Sequence, residues 1–491
     1  MFKIIRKNNN FEFRIKKKSF KIKKYLFFIK NVSKNNIFKL NVLLLIIIII
    51  IIYSNNIINY NIKLKNCYLK IQKNIQLIFQ NKIKNKIRIG IYLYQLNGGG
   101  TTRTTSLFIK FFIKIKIFDI YLYTQEIKEE EKAIIPDNIK RVFIKSYKMN
   151  CLIRGIKKKK LDIFIYQFPI AYDIKFLNNI EFFKTIFYQH SSLFYFLNYN
   201  ISIMKLIYKE YINSKYIINL IPVENDYIFK KWRINSILMK NFITYDFKYI
   251  SPSDLSSKII LMVGRANDKF KRFELGIRAM EYIINEINDC YMKIISSNNE
   301  TAFLHDLSLN INIKDNIEII NFTLKPEQYY KNASLHIFPS ISESFGMVLI
   351  ETKIFGIPNI LLGLDYIILS EGGTIIIYDE NPEAIAIESL KILKNENLRK
   401  KLGNEARLSI RKINNKSILK KWIKLILSVY NGDIYYQKLV NKDSHDKHLF
   451  SSIALKILNN QLNLFKKRKS NFQNLTVNVF LNYTFLNTTN T

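Results

Sequence analysis

The chain has 491 residues, more than a single hydrophobic core usually organises, so two domains with extensions are expected. Hydrophobic residues make up 48% and aromatic residues 14% of the sequence, which excludes a wholly disordered protein. The net charge of +39 would suit a nucleic acid, but the lysines are scattered through every region and no basic helix carries interleaved aromatic residues, so we predict no nucleic-acid partner.

The chain begins with a lysine-rich leader, residues 1–40, and an apolar run follows in residues 41–58, with isoleucine at every position from 46 to 52. The run is short for a transmembrane helix, which needs roughly 20 residues, but apolar flanking residues could extend it. Because the leader is long and no small-residue cleavage site follows, the pattern predicts an uncleaved membrane anchor in the endoplasmic reticulum, Golgi or cell membrane. A cleaved signal peptide and a buried core segment are the alternatives, and the flanking charges leave the side of the membrane open.

From residue 87 onward, short β-branched and aromatic runs alternate with helix-like stretches, which is typical of parallel sheets covered by helices. The predicted strands are residues 87–94, 117–124, 162–167, 185–189 and 216–221, then, after a polar stretch, 258–263, 292–296, 317–321, 335–338, 358–362 and 374–378. We therefore predict an α/β fold of two doubly wound, Rossmann-like domains, residues 86–250 and 251–430, facing each other across a cleft. A polar extension, residues 431–491, follows. Such sheets bind ligands at the carboxyl ends of their strands, so the cleft suits two substrates.

The segment 342–351, Ser-Glu-Ser-Phe-Gly-Met-Val-Leu-Ile-Glu, combines two carboxylates with a glycine at a predicted helix start. Gly346 would let the first backbone N–H groups of the helix approach an anion, and the helix dipole favours a diphosphate there. Glu351, one turn beyond Met347, is placed to accept hydrogen bonds from ribose hydroxyls, and Glu343 is placed in the loop to reach a transferred sugar. The alternative is that Glu343 only caps the helix and that Glu351 faces solvent.

The two glutamates with seven residues between them, the intervening Ser-Phe-Gly and a later Gly-x-Pro resemble the donor-site motif of family 4 retaining glycosyltransferases, which adopt the GT-B fold. The segment 263–277, with Arg265 and Lys271, is similar to the strand, Gly-Arg turn and lysine with which that family holds the donor diphosphate. Here the interval from the arginine to the lysine is one residue longer than usual, and Lys269 is a competing candidate. An arginine and a lysine together combine forked hydrogen bonding with a point charge, which suits a leaving nucleotide.

In the first half, Asn-Gly-Gly-Gly-Thr-Thr-Arg at 97–103 resembles the glycine-rich loop that lets the family's backbone pass close to the donor, although a plain tight turn would look the same. Family members often carry an acidic residue where Thr101 or Thr102 stands, and this departure speaks against a side-chain role for the loop. His190, after predicted strand 185–189, lies where the family usually has a histidine beside the donor sugar. It is placed to hydrogen-bond a sugar hydroxyl or a developing charge.

The resemblance covers residues 86–430 and implies transfer of a sugar from a nucleoside-diphosphate sugar to a hydroxyl of a glycan, lipid or protein, with retention of configuration. It implies no metal and no cofactor, the nucleotide sugar being a co-substrate. The predicted catalytic residues are Glu343 and His190. The predicted donor-binding residues are Gly98, Gly99, Gly100, Arg265, Lys271, Ser344, Phe345, Gly346, Met347, Val348 and Glu351. The alternatives are another nucleotide-sugar enzyme on this fold, such as an epimerase or a phosphorylase, and a catalytically silent, membrane-tethered scaffold.

Overall fold

The computed structural model describes residues 2–7 and 10–15 and, from 86 to 432, all positions except 95, 97–98, 126–134, 145–148, 168–183, 193–206, 209–210, 213, 267, 269, 297–301 and 364–371. The chain divides into two compact units, Met1–Lys84 and Asn85–Thr491. In the first unit, β1 (Phe2–Lys7) and β2 (Asn10–Ile15) pair as an antiparallel hairpin. The predicted anchor, residues 41–58, lies outside the described residues, and no described helix is long and apolar enough to cross a membrane.

The first sheet of the second unit consists of parallel strands in the spatial order β5-β4-β3-β6-β7-β8-β9. In chain order, its strands and the helices between them are β3 (Ile87–Tyr92), α1 (Gly100–Phe112), β4 (Phe118–Gln125), β5 (Lys140–Ile144), α2 (Met149–Lys159), β6 (Ile163–Tyr166), β7 (Lys184–Tyr188), β8 (Tyr216–Asn219), α3 (Pro222–Trp232) and β9 (Ile237–Leu238). The central strands read as almost unbroken apolar runs, and all residues of β6 and β8 are buried, as expected for a parallel sheet covered on both faces.

The second sheet repeats this arrangement with parallel strands in the order β12-β11-β10-β13-β14-β15. In chain order, its strands and helices are β10 (Ile259–Val263), α4 (Phe273–Glu286), β11 (Tyr291–Ser296), α5 (Ala302–Asn310), β12 (Ile317–Asn321), α6 (Glu327–Tyr330), β13 (Leu335–Phe338), α7 (Met347–Ile354), β14 (Asn359–Leu362), β15 (Thr374–Ile377), α8 (Pro382–Lys394), α9 (Glu396–Ile410) and α10 (Asn415–Asn431). In both sheets the strand order reverses beside the first strand, between β3 and β6 and between β10 and β13. These two positions are the switch points at which such sheets bind ligands.

All eleven predicted strands are present, and their ends lie within two residues of the predicted ones. Four described strands were not predicted, namely β1 and β2 of the first unit and β5 and β9 of the second. β5 is an edge strand whose first four residues are exposed or half-buried, so it lacks the buried apolar run by which the others were found. β9 has only two residues, too few for any pattern.

The last helix, α10, packs on the first sheet although it follows the second sheet in the chain. Its fully buried Trp422 lies with its ring centroid 4.9 Å from that of Phe108 and 5.1 Å from that of Tyr188. Lys184 of β7 donates a hydrogen bond to the carbonyl of Val429, with 2.6 Å between the two atoms. The predicted boundary, which groups residues up to 430 with the second domain, does not describe this connection.

Candidate functional site

Two loops of the second sheet meet at its switch point. The loop after β10 carries Arg265 and Lys271, and the loop after β13 leads through Glu343 to α7. Because β10 and β13 are neighbouring parallel strands, both loops leave the same edge of the sheet. Lys271 Nζ donates to Glu343 Oε1, so the structure joins two predicted site residues that lie 72 positions apart in the chain.

Further hydrogen bonds hold these two loops against each other. The backbone N–H of Ile341 donates to the carbonyl of Phe270 at 2.8 Å, and the Ser340 hydroxyl donates to the same carbonyl at 3.1 Å. The side chain of Glu343 is 11% exposed, so the carboxylate is mostly withdrawn from water next to its cation. An anion that binds Lys271 in this arrangement has to share the ammonium group with Glu343.

Arg265 has a different environment from Lys271. Its Nη2 donates to Asp268 Oδ2 at 2.7 Å, and its side chain is 53% exposed. An exposed ion pair of this kind contributes little to stability, so the guanidinium group can exchange Asp268 for a ligand at low cost. The competing Lys269 lies outside the described residues.

The helix α7 begins where the sequence predicts it, and Gly346 is its N-cap residue. Gly346 has φ 61° and ψ 60°, a left-handed conformation in which a Cβ atom is disfavoured. The first backbone N–H groups of a helix have no partner within the helix, so the amides that follow Gly346 are available to an anion. The side chains of Phe345 and Met347 are buried, whereas Ser344 and Val348 are half-buried. Of these four residues, only Ser344 and Val348 therefore have partly exposed side chains.

Gly100, the last residue of the glycine loop, lies next to the start of α7. Gly99 is the N-cap residue of α1, with φ −70° and ψ 175°, and α1 begins at Gly100. A Cβ atom on Gly100 would lie 3.9 Å from Cγ of Met347, its nearest neighbour. This is an ordinary van der Waals distance, so the first half approaches the start of α7 closely at Gly100. Gly98 lies outside the described residues.

Glu351 joins the two halves through three hydrogen bonds. Its Oε1 accepts hydrogen bonds from Arg103 Nη1 and from the hydroxyl of Thr244, both at 2.6 Å, and its Oε2 accepts one from the hydroxyl of Tyr330 at 2.9 Å. The side chain is 1% exposed, so the alternative in which Glu351 faces solvent is wrong. The charge of Glu351 raises the pKa of Arg103 well above its ordinary value. The predicted contact of this carboxylate with a ribose stays a prediction, because all the partners that the structure gives Glu351 are protein groups.

His190 lies two residues beyond the carboxyl end of β7 and is 6% exposed. Burial lowers its pKa to about 3, so the imidazole is neutral at pH 7. Its Nε2 lies 2.9 Å from Oε1 of Gln167, which follows the neighbouring strand β6. A neutral imidazole can exchange hydrogen bonds with a sugar, but it cannot offer a full positive charge to a phosphate.

The residues that sequence reasoning missed are the partners of the predicted ones, namely Arg103, Gln167, Thr244 and Tyr330. For Arg103 a weak signal exists, since it lies three positions after Gly100, the last residue of the glycine cluster. For the others the sequence offers no pattern, because each contact joins distant parts of the chain.

Comparison with known proteins finds similarity to glycosyltransferases in the part of the chain that forms the second sheet. Residues 246–409 match the family model described as Glycosyl transferases group 1, and this range includes Arg265, Lys271, Glu343 and Glu351. An uncharacterized glycosyltransferase of Methanocaldococcus jannaschii is 31% identical over 160 residues, which cover 31% of this chain and 40% of that protein. The chain spans between 40% and 52% of the length of the three curated relatives that it matches.

Solved structures are similar over a larger part of the chain. Sucrose-phosphate synthase from Thermosynechococcus elongatus superposes with a TM-score of 0.58 at 15% identity, covering 70% of this chain and 100% of that one. The Anabaena protein HepE, solved with UDP and glucose, superposes with a TM-score of 0.57 at 10% identity and the same coverage. These likenesses, together with the two parallel sheets, show an α/β fold of the GT-B type with Rossmann-type halves.

Proposed function

We propose that this chain is a glycosyltransferase that moves a sugar from a nucleoside-diphosphate sugar to a hydroxyl group of a glycan, lipid or protein, with retention of configuration. The observation that carries the proposal is the bonded pair of Lys271 and Glu343 at the switch point of the second sheet, next to the N-terminus of α7. A cation and unpaired amides suit the diphosphate of such a donor, and a carboxylate suits the hydroxyls of its sugar. The likeness in fold to a protein solved with UDP and glucose supports a nucleotide sugar as the donor.

In this proposal Arg265, Lys271 and the amides after Gly346 bind the diphosphate and stabilise the charge that grows on it as the bond from the sugar to phosphate breaks. Arg265 is exposed and, among the described residues, its side chain pairs with Asp268 on its own loop, so it can turn towards the diphosphate. The two cations would take the place of a divalent metal ion, and we propose that the reaction needs none. Activity that survives EDTA would support this point, and activity that returns only with added Mg²⁺ or Mn²⁺ would refute it.

Retention requires that the acceptor oxygen bonds to the anomeric carbon on the face from which the diphosphate leaves. We propose that the leaving phosphate oxygen takes the proton of the acceptor hydroxyl, while Glu343 positions the sugar through its hydroxyls and does not attack it. The engagement of Glu343 by Lys271 supports a positioning role, because a carboxylate that is bonded to an ammonium group is a weaker nucleophile. Proton NMR of the first-formed product distinguishes retention from inversion.

The experiment that tests the proposed function is a screen of the purified full-length chain against UDP-, GDP- and ADP-sugars, with release of nucleoside diphosphate and donor-dependent thermal stabilisation as readouts. Arg265→Ala should abolish release from the preferred donor while leaving the melting temperature without ligand unchanged, because the side chain is largely exposed. Lys258→Ala is the matched control, since it breaks an exposed ion pair with Asp289 at the opposite end of β10.

The outcomes separate the alternatives. Release that requires an acceptor and yields a glycosylated product establishes a transferase, whereas an altered sugar that is still joined to its nucleotide indicates an epimerase. Binding of no donor at all would leave the silent scaffold as the better interpretation and overturn the proposal.

A further inference from the structure

The orientation of one buried amide decides what His190 can do for a ligand. His190 is neutral at pH 7, so one ring nitrogen carries a proton and the other carries a lone pair. Its Nε2 faces the amide of Gln167 at 2.9 Å, and its Nδ1 has no hydrogen-bond partner among the residues that the structure describes. The partner at Nε2 therefore determines whether Nδ1 is a donor or an acceptor.

The amide of Gln167 is held between His190 and Thr105 of α1. Its Oε1 lies 3.0 Å from the hydroxyl of Thr105, and the same hydroxyl lies 2.8 Å from the carbonyl oxygen of Thr101. Gln167 is 3% exposed, and within the described part of the chain its Nε2 has no hydrogen-bond partner. In this orientation the single hydroxyl proton of Thr105 faces two acceptors, Oε1 of Gln167 and the carbonyl oxygen of Thr101. The buried N–H₂ group of Gln167 has no described acceptor.

Rotation of the amide by 180° removes both problems. One N–H of Gln167 then donates to the Thr105 oxygen and the other donates to His190 Nε2, while the Thr105 hydroxyl donates to the carbonyl of Thr101. Each of the three short contacts now contains one proton. The atom left without a described partner becomes a carbonyl oxygen, which costs less to leave unpaired than a buried N–H₂ group. The two orientations differ only in which amide atom is nitrogen, so the hydrogen-bond network decides between them.

We propose that Gln167 is a positioning residue that donates to His190 Nε2 and thereby fixes the Nδ1–H tautomer of His190. His190 then presents a neutral N–H donor at the carboxyl end of β7, beside the switch point of the first sheet. Such a donor hydrogen-bonds an oxygen of the bound donor substrate, either a sugar hydroxyl or an oxygen that gains charge as the diphosphate leaves. The opposite tautomer would present a lone pair, which can accept a proton from a sugar hydroxyl but repels an oxygen that carries negative charge. The catalytic part of this inference rests on the proposed transferase function, whereas the tautomer itself does not.

The test is long-range ¹H–¹⁵N NMR of the full-length chain labelled with ¹⁵N-histidine, in which the two neutral tautomers give different cross-peak patterns. The signals of His190 are assigned by their loss in His190→Asn. The expected pattern at pH 7 is that of a protonated Nδ1. Gln167→Glu keeps the size of the side chain and, as a carboxylate, can only accept a proton from Nε2, so it should switch His190 to the Nε2–H pattern. Thr104→Val, which changes a neighbouring threonine of α1 outside this network, should leave the pattern unchanged.

The same variants test the catalytic consequence. Gln167→Glu should lower kcat by about tenfold or more. It should change the dissociation constant of the nucleoside diphosphate by less than about twofold, because the N–H group of His190 acts on the reacting groups and not on the bound nucleotide. If Gln167→Glu fails to fold, Thr105→Val serves instead, since it removes the oxygen that orients the amide and should give a mixture of both tautomers.

An Nε2–H pattern in the unchanged chain would overturn the inference, whatever its activity. An Nδ1–H pattern in a chain that turns over no nucleotide sugar would count against the proposed function and leave the tautomer assignment standing. If the unchanged chain shows the Nδ1–H pattern and Gln167→Glu shows the Nε2–H pattern, an unchanged kcat in that variant would overturn the positioning role.

Discussion

Arg103, in the first turn of α1, donates to Glu351 of α7 at 2.6 Å, and this ion pair joins the helix that follows the glycine loop to the helix that follows the Glu343 loop. Thr244, on the segment between the two sheets, donates to the same carboxylate oxygen as Arg103. One carboxylate thus connects the first half, the second half and the segment between them. If one half moves relative to the other, the bonds to Glu351 must either break or move with it.

Arg103→Met should destabilise the chain by about 3 kcal/mol, because it leaves the charge of Glu351 buried with the hydroxyls of Thr244 and Tyr330 as its described donors. The double variant Arg103→Met with Glu351→Gln should recover part of this loss, since the neutral amide no longer needs a counter-ion. Urea unfolding of the two single variants and the double variant measures the coupling. Lys140→Met is the control, because it breaks an exposed pair with Asp119 and should cost less than about 1 kcal/mol. A loss for Arg103→Met no larger than that of the control would show that the pair does not hold the halves together.

Gly346→Ala should cost about 1–2 kcal/mol of stability, because an alanine has to adopt the left-handed φ of 61° or shift the start of α7. The shift would also displace the first amides of the helix, so the affinity for nucleoside diphosphate should fall. Gly155→Ala in α2 offers a matched comparison, since it adds the same methyl group at ordinary contact distances within a helix and should be neutral or stabilising. Equal melting temperatures and equal affinities for the two variants would contradict the assigned role of Gly346.

The strands, and the placement of several candidate site residues at their ends, were predictable from the sequence for one physical reason. A buried parallel strand has to be apolar along its whole length, and the residues that bind ligands follow directly at its carboxyl end. Runs such as Ile163–Tyr166 therefore identify the strands, and the same reasoning places His190, Glu343 and Gly346 at the ends of strands or the start of a helix.

The sequence could not predict which elements and side chains contact each other in the folded chain. The pattern of α10 shows that one face is buried but not which sheet it covers, and Trp422 in fact packs against Phe108 of the first sheet's α1. The contact of Arg103 with Glu351 spans 248 positions, and no local pattern carries information over such a distance. The predicted roles of both glutamates were therefore incomplete, because neither prediction included the cation beside the carboxylate.

Trp422→Ala should destabilise the chain by about 3–5 kcal/mol, because it empties a fully buried volume between α10, α1 and β7. Hydrogen exchange should report the loss mainly in the first sheet, although the substitution lies after the second sheet in the chain. Leu408→Ala in α9 removes an exposed side chain and should change stability by less than about 0.5 kcal/mol. A loss of protection confined to the second sheet would refute the placement of α10.

The buried side chain of His336 should make the free energy of unfolding depend on pH. Burial lowers its pKa to about 4, below the ordinary value of 6.5, so between these values the unfolded chain binds a proton that the folded chain does not. Stability contributed by the neutral form is complete above pH 6.5 and is lost as the pH falls towards 4, by about 2 kcal/mol at pH 5. His190 acts in the same direction, with a pKa of about 3. His336→Gln should therefore show a smaller difference between urea unfolding at pH 7 and pH 5 than the unchanged chain. An identical pH dependence in both would mean that His336 takes up its proton in the folded state.

Glu343→Gln should separate binding from turnover. The carboxylate shares Lys271 with any diphosphate that binds there, so neutralising it frees the ammonium group and removes a like charge from the site. The affinity for nucleoside diphosphate, measured by calorimetry, should therefore rise by a few-fold. The amide cannot hold the sugar hydroxyls as the carboxylate does, so kcat should fall by about a hundredfold. Glu318→Gln, which neutralises one member of the exposed pair with Lys293, should leave both quantities unchanged. Full turnover in Glu343→Gln would exclude the positioning role of this carboxylate, and weaker binding would show that Glu343 holds Lys271 in place for the diphosphate and does not compete with it.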